Sequence, residues 1–337
     1  MSKSGKILVL DPISPYSQHL CRTHNVTNAE IVFFTDDQTI EENLVDADIL
    51  VTSTRKVPKE WIEKAQNCKL VQKLGTGVNN IDVNTANNRG IYVGNVAGAN
   101  SLSVAEYAVM LMLASCRHIN IAHNRLVQQG RWEKSTLRDS CCEVSGKTVG
   151  IVGFGNIGQK VAKLLSGFCC EILYYDLYRL NAEAEAALGV TFCELDELCS
   201  RVDILSLHTP LTEQTRNMID ERRLAMLKDS AVLVNTGRGG IIDETALYQT
   251  LKQGRLLGVA LDVHEHEPVL AEDPLMEFER VIFSPHTAAG TRESMDRVIG
   301  DAFININGLL TDCKIRSWDN IVNRKEIGGG CIEQKVD

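Results

Sequence analysis

Three segments of the chain each offer one group suited to acid–base or anion-binding chemistry. They are Asn235-Thr-Gly-Arg238-Gly-Gly240, Asp262-Val-His-Glu-His-Glu267-Pro268 and Ser284-Pro285-His286-Thr-Ala-Ala-Gly-Thr291. Arg238 presents a planar fork that suits a carboxylate and can polarise a neighbouring carbonyl. His286 can give a proton to a carbonyl oxygen or take one from a hydroxyl. Glu267 can orient the imidazole and favour its protonated form, because an opposite charge stabilises it. Beside a nicotinamide, these groups suit hydride transfer to a 2-oxo acid. Singly, a surface arginine, a solvated loop acid and a core histidine are each commonplace. Each segment here follows a short apolar run that reads as a strand, and together they favour catalysis.

A nicotinamide needs a holder, and Lys147-Thr-Val-Gly-Ile-Val-Gly153-Phe-Gly155-Asn-Ile-Gly158 has the pattern of one. The run Val149 to Val152 reads as a buried strand that enters G-x-G-x-x-G. A helical pattern follows, with Ile157, Val161, Leu164 and Leu165 on one face and Gly167 as its stop. A second strand, Ile172 to Tyr175, ends in Asp176, eighteen residues after Gly158. Strand, glycine turn, helix, strand and acid make up a dinucleotide-binding unit. Gly153 permits the turn, Gly155 lets a pyrophosphate approach the backbone, and Gly158 lets helix and strand pack closely. The helix N-terminus offers unpaired N–H groups to phosphates. Asp176 is placed to accept from the ribose hydroxyls and to repel a 2′-phosphate, which favours NAD. Arg179, close by, leaves NADP open. The competing explanation is a tight turn with no ligand.

These groups need a scaffold. Strand-like runs occur at 6–10, Ile31–Phe34, Ile49–Thr52, Leu70–Leu74 and Ile91–Val93, separated by stretches of helical length. After the glycine turn come Ile204–Leu207, Val232–Val234, Leu257–Leu261 and Val281–Phe283, with helical segments near 221–228 and 243–253. In an open parallel sheet, ligands bind at the C-terminal strand ends, where the three segments lie. Between the two series, Ser103-x-x-Glu106 reads as a capping box opening a long helix. Its apolar residues, Ala108 to Ala114, fill nearly every face, so burial all round is expected, between domains or against another subunit. The pattern continues toward Gly130. A last helix, about Arg292 to Leu310, returns to the first domain. The tail from Gly328 has no core pattern and is expected to fray.

A length of 337 residues suggests two domains. A net charge of −9 argues against nucleic acid as the main partner. The N-terminus lacks the apolar core of a signal peptide, and the longest apolar run is far short of a membrane span. A soluble, cytoplasmic protein is expected. Eleven cysteines, with no C-x-x-C, fit a reducing compartment better than a disulfide framework. His264 and His266 invite a metal reading, but no third ligand cluster accompanies them, and none is expected.

The three segments and the Gly153 turn resemble the D-isomer-specific 2-hydroxyacid dehydrogenase family. The resemblance extends to the stretch from Lys73 through Gly77 and Val78 to Asp82, to Ser103-Val-Ala-Glu106 and to His208-Thr-Pro210-Leu-Thr212, and covers roughly residues 45–310. It implies that Arg238 binds the substrate carboxylate, that His286 is the acid–base and that Glu267 is its partner. It implies further that backbone amides at Gly77 and Val78 meet the substrate carboxylate and that the Ser53-Thr54-Arg55 loop contributes specificity. Cofactor contacts would come from Gly153, Gly155, Asn156, Ile157, Gly158, Asp176, His208, Thr209, Pro210, Thr236, Gly237 and Ala288. Asp262 would meet the nicotinamide carboxamide. The implied fold is two doubly wound parallel-sheet α/β domains. A Rossmann cofactor domain (103–290) is inserted in a flavodoxin-like substrate domain (1–102 and 291–325), with 326–337 as tail. The implied assembly is a homodimer paired through the apolar helix.

Two departures stand out. The family usually has an aromatic where this chain has His264, and many members have an aspartate where it has Asn79. Glu267, rather than glutamine, speaks against the formate dehydrogenase branch. The expected substrate is a 2-oxo or D-2-hydroxy acid, with hydroxypyruvate, glyoxylate, 3-phosphoglycerate derivatives and D-lactate-type acids all open. The alternative on this fold is an NAD(H)-sensing binding protein like the C-terminal-binding-protein corepressors, which turnover would exclude.

Overall fold

The computed structural model describes residues 5–327 apart from Asn28 and Thr35, with the backbone alone at Gln38. The expectation for the tail from Gly328 lies outside the described residues. The chain divides into two units, Met1–Asn100 with Thr291–Asp337, and Ser101–Gly290.

The first unit holds β1 (Lys6–Val9), β2 (Glu30–Phe33), β3 (Ile49–Thr52), β4 (Leu70–Lys73) and β5 (Tyr92–Gly94), all parallel. Their order is β2-β1-β3-β4-β5, the flavodoxin-like arrangement. Alternation along each strand sends side chains to opposite faces. Ile7, Val9, Ile49 and Val51 pack against Phe303 and Ile306 of the helix Arg292–Thr311. Leu8, Leu10, Leu50 and Val71 pack against Trp61 and Ile62 on the other face.

The second unit holds β6 (Thr148–Val152), β7 (Glu171–Tyr175), β8 (Thr191–Phe192), β9 (Ile204–Leu207), β10 (Val232–Asn235), β11 (Gly258–Leu261) and β12 (Val281–Phe283). They pair in parallel in the order β12-β11-β10-β9-β6-β7-β8. The order reverses at β6, whose neighbours are β7 and β9, and this is the switch point of a Rossmann sheet. β9, β10 and β11 are buried along their whole length, as parallel strands covered on both faces must be.

Several local expectations need correction. The long helix starts at Ser101, so Ser103 lies inside it and cannot be its cap. Asn100, another favoured cap type, directly precedes it. The helix does not run on to Gly130. It ends at Cys116, His118 takes a left-handed φ of 48°, and a second helix, Ile119–Gln129, leaves at 63°. Gly130 closes that second helix in a left-handed conformation. Within a single chain, Val104, Ala105, Ala108, Leu111 and Met112 of the first helix are covered and Leu102, Met110 and Leu113 are exposed, which leaves the expectation of cover by another subunit standing. Gly167 is not a helix stop either. The helix Asn156–Leu165 tightens into a 3-10 turn at Ser166–Phe168, and Cys169 takes the left-handed conformation. Leu164 faces outward, and Ala162 fills the core position. No single helix among the described residues is long and apolar enough to cross a membrane.

Candidate active site

Strand order explains why the three chemical segments meet. Their parent strands β10, β11 and β12 are consecutive neighbours, spaced about 4.8 Å apart by their hydrogen bonds. Parallel pairing puts every C-terminal end on one edge. Along that edge stand His286, Glu267, Arg238, Thr209, Gly153 and Asp176, following β12, β11, β10, β9, β6 and β7 respectively. The three segments and the dinucleotide turn therefore share one edge of one sheet, though they are dispersed in sequence.

His286 Nδ1 lies 2.9 Å from Glu267 Oε2. An ionised carboxylate only accepts, so Nδ1 carries the proton of this bond and Nε2 is left outside it. The other oxygen, Oε1, accepts the His264 N–H at 3.1 Å. Burial pushes the Glu267 carboxyl up, but the hydrogen bonds from His286 and His264 outweigh it and hold it below the ordinary range. Asp262, 1 % exposed, fastens the imidazole loop. Its Oδ1 accepts from Ser284 Oγ at 2.7 Å and Thr287 N–H at 2.9 Å, and its Oδ2 accepts from Ala288 N–H at 2.9 Å. The His286 N–H returns a bond to the Asp262 carbonyl at 2.8 Å. His286 itself sits at φ 54°, a left-handed conformation that these bonds stabilise.

Arg238 follows β10 on a loop tied by Asn235, whose Nδ2 donates to Arg238 O at 2.9 Å while its Oδ1 accepts from Gly237 N–H at 3.0 Å. Burial holds the guanidinium below its usual range, with the charge of Glu267 acting in the opposite direction. Its Nη1 donates to Gly237 O at 2.7 Å, and it forms no ion pair among the described residues. A half-buried guanidinium in that state is suited to receive an anion. Gly239 makes the arrangement possible. A β-carbon there would stand 1.8 Å from the His264 carbonyl oxygen, so only glycine lets the Arg238 loop approach the Glu267 loop.

His264 and His266 do not converge. His264 is buried, its Nε2 is 3.1 Å from Ser284 O and its ring stacks on Phe283, while His266 is exposed.

The dinucleotide turn fits the group it suggests. Gly153 has φ 88°, and a side chain there would meet the His208 and Thr209 backbone at 2.8 Å. Gly158 is pressed against Gly153 O, where a β-carbon would be 2.3 Å away. Gly155 faces open space at the start of the helix Asn156–Leu165, where a phosphate needs room. Thr209 Oγ1 is buried without a partner among the described residues, a polar atom that a ligand would satisfy. Asp176 Oδ2 accepts the Phe154 N–H at 2.6 Å, which couples the acid to the turn. His208 bridges β9 and β10, with Nε2 2.9 Å from Ser206 Oγ and Nδ1 3.1 Å from Thr236 Oγ1. Burial pushes its pKa down to about 3, so it is neutral.

Arg55, Gly77 and Val78 belong to the first unit. Arg55 pairs with Asp37. Its loop is held by Asp11, whose carboxylate accepts the Ser53, Thr54 and Arg55 N–H groups at 2.5, 2.7 and 2.8 Å. Asn80 Nδ2 donates to Arg55 O at 2.7 Å and ties this loop to the segment after β4 that carries Gly77 and Val78. The sequence expectations do not include Asp11 or Asn80 among the site residues, yet both hold the Arg55 loop in place. The signal for Asp11 was an acid directly beyond a buried strand.

An α/β chain with a dinucleotide turn and a guanidinium, carboxylate and imidazole on one sheet edge has the makings of a nicotinamide-linked oxidoreductase. Residues 109–288 match the model of the "D-isomer specific 2-hydroxyacid dehydrogenase, NAD binding domain". The chain is 40% identical to a D-3-phosphoglycerate dehydrogenase of Methanocaldococcus jannaschii, over 86% of this chain and 54% of that protein. It is 40% identical to a hydroxypyruvate reductase of Thermotoga maritima, over 87% of this chain and 94% of that one. Its fold is similar to the NAD-dependent formate dehydrogenase of Staphylococcus aureus in complex with NAD, with a TM-score of 0.80, 29% identity, and coverage of 93% and 97%. The chain spans about half the length of the phosphoglycerate dehydrogenases it matches. It belongs to the D-isomer specific 2-hydroxyacid dehydrogenase family, and its second unit is the family's NAD-binding domain.

Proposed function

We propose that this protein interconverts a small 2-oxo acid and its D-2-hydroxy acid with NAD(H). The observation that carries the reading is the half-buried Arg238 one strand away from the Glu267 loop and two from His286. The Arg238 fork binds the substrate carboxylate and draws electron density from the adjacent carbonyl. Bound NADH supplies the hydride. His286 gives its Nε2 proton to the carbonyl oxygen, and Glu267 stabilises the imidazolium before transfer and fixes its orientation. In oxidation the same nitrogen takes the hydroxyl proton. Gly153 to Gly158, Asp176, His208 to Pro210, Thr236, Gly237, Asp262 and Ala288 hold the dinucleotide. Arg55, Gly77 and Val78 contribute substrate contacts, Arg55 after exchanging its bond to Asp37.

Relatives named hydroxypyruvate reductase and glyoxylate reductase support short 2-oxo acids as first candidates, with 3-phosphoglycerate derivatives beside them. The protein acts in the cytoplasm as a homodimer, a reading supported by its free thiols and by the exposed apolar stripe of helix Ser101–Cys116. The test is turnover of NADH with hydroxypyruvate, glyoxylate, 3-phosphohydroxypyruvate and pyruvate, in wild type and His286→Asn. Wild type should consume at least one acid, and the variant should lose about 10³-fold in kcat with NADH binding retained. A wild type that binds NADH and reduces none of them would favour a sensor on this fold.

A further inference from the structure

Arg179 is the one cation in the sequence from Asp176 to Asn181, three residues beyond the acid assigned to the ribose. An arginine near that place can accommodate a 2′-phosphate in this type of fold. In the structure it is already engaged. Its Nε lies 2.9 Å from Glu185 Oε1 and its Nη2 3.1 Å from Oε2, a two-point fork. The guanidinium also lies 5.0 Å from the centre of the Phe192 ring. Both contacts hold it toward the short helix Ala182–Leu188 and β8.

Glu185 is itself built in. Its side chain is 12% exposed, and the Tyr174 hydroxyl donates to Oε1 at 2.8 Å. That hydroxyl accepts the Leu180 N–H at 2.9 Å, so carboxylate, phenol and loop form one chain of hydrogen bonds. The Tyr174 ring is fully buried and lies 4.2 Å from the ring of Phe154 in the dinucleotide turn. Hydrogen bonds from Arg179 and Tyr174 keep the Glu185 carboxyl below its usual range, so it stays charged at neutral pH.

We propose that Glu185 is a cofactor-specificity residue that favours NAD over NADP by holding Arg179 away from the ribose. The proposal rests on the assignment of Asp176 to that ribose. With the latch closed, a 2′-phosphate meets the Asp176 charge and no available guanidinium; to recruit Arg179 it must first break the fork. Opening the latch supplies the missing cation without touching Asp176.

The test is fluorescence titration of NADH and NADPH at low ionic strength in wild type, Glu185→Gln, Arg179→Ala and the double variant. Glu185→Gln keeps an acceptor for Tyr174 and should tighten NADPH binding at least fivefold, with the NADH Kd within twofold of wild type. The gain should vanish in the double variant and shrink as salt rises. Arg179→Ala alone should leave the NADPH-to-NADH ratio within twofold, because a latched arginine contributes nothing. An unchanged ratio in Glu185→Gln, or a gain that survives in the double variant, overturns the proposal. If Glu185→Gln does not fold, Arg179→Ala decides: weakening of NADPH alone by more than threefold shows that the arginine was never withdrawn. Wild type that binds neither dinucleotide overturns the cofactor assignment and this proposal with it. Arg179→Ala and the double variant binding NADH like wild type, with no gain in Glu185→Gln, overturns the latch alone.

Discussion

At the scale of single residues, geometry matters more than charge. Arg238→Lys keeps a cation but loses the planar fork, and a lysine on the Gly237–Gly239 backbone cannot reach a carboxylate at two points. The expected loss is about 10²–10³ in kcat/KM for 2-oxo acids, with the NADH Kd unchanged. Steady-state kinetics with parallel binding titrations check it, and near wild-type turnover would remove Arg238 from the site. His208 gives a pH prediction of definite sign. Burial depresses its pKa to about 3 in the folded state, against an unfolded value of about 6.5. The neutral form is therefore tied to the fold. Its contribution to stability is complete above the unfolded value and is lost as pH falls toward the folded one. Between pH 7 and pH 5 wild type should lose about 2 kcal/mol through this group. His208→Gln, which cannot titrate, should lack that portion of the slope, as urea unfolding at several pH values would reveal. Parallel slopes would mean that His208 is hydrated enough to protonate in place.

At the scale of elements, the site depends on how closely strand-end loops approach one another. Gly239→Ala places a methyl against the His264 carbonyl, and neither partner is a flexible side-chain tip. The two loops must part, carrying Arg238 away from Glu267. A loss of roughly 1–3 kcal/mol in stability and about 10²-fold in kcat is expected, by thermal unfolding and single-turnover rates. If activity survives while stability falls, the loop approach serves folding alone. The strands, the dinucleotide turn and the placement of Arg238, Glu267 and His286 at strand ends were legible because each has a local signature: apolar runs, spaced glycines, and polar groups just past a strand. What escaped was set by contacts between segments. Asp11 supports a loop 42 to 44 residues away, and Gly239 matters only because His264 is beside it. β8 has two residues and the helix Ala182–Leu188 is rich in alanine, so neither carries a strong hydrophobic period. The long helix departs from its expected end for a related reason. Polar residues compatible with a helix continue past Cys116, yet at His118, whose buried ring lies 3.1 Å from Ser140 O, the backbone takes a left-handed φ of 48° and the helix ends.

At the scale of the whole molecule, the apolar residues that the chain does not cover set the expected assembly. Leu102, Met110 and Leu113 are exposed on one helix, and Ile119, Leu126, Val127 and Trp132 are exposed just beyond its bend. These exposed apolar side chains, close together in sequence, suit a self-complementary contact between two copies. Each copy carries a net charge of −9, so approach is opposed at long range while the contact itself is apolar. Salt screens the repulsion without weakening the burial. Sedimentation at micromolar concentration should therefore show a dimer whose Kd tightens as ionic strength rises from about 0.01 to 0.15 M. Met110→Glu puts an unpaired charge into the contact and should weaken it by about 10²-fold. The methionine is exposed within the chain, so the fold and NADH binding of the variant should remain intact. A wild-type monomer at micromolar concentration would show that this stripe does not pair copies of the chain. A dimer indifferent to Met110→Glu would move the interface to another face.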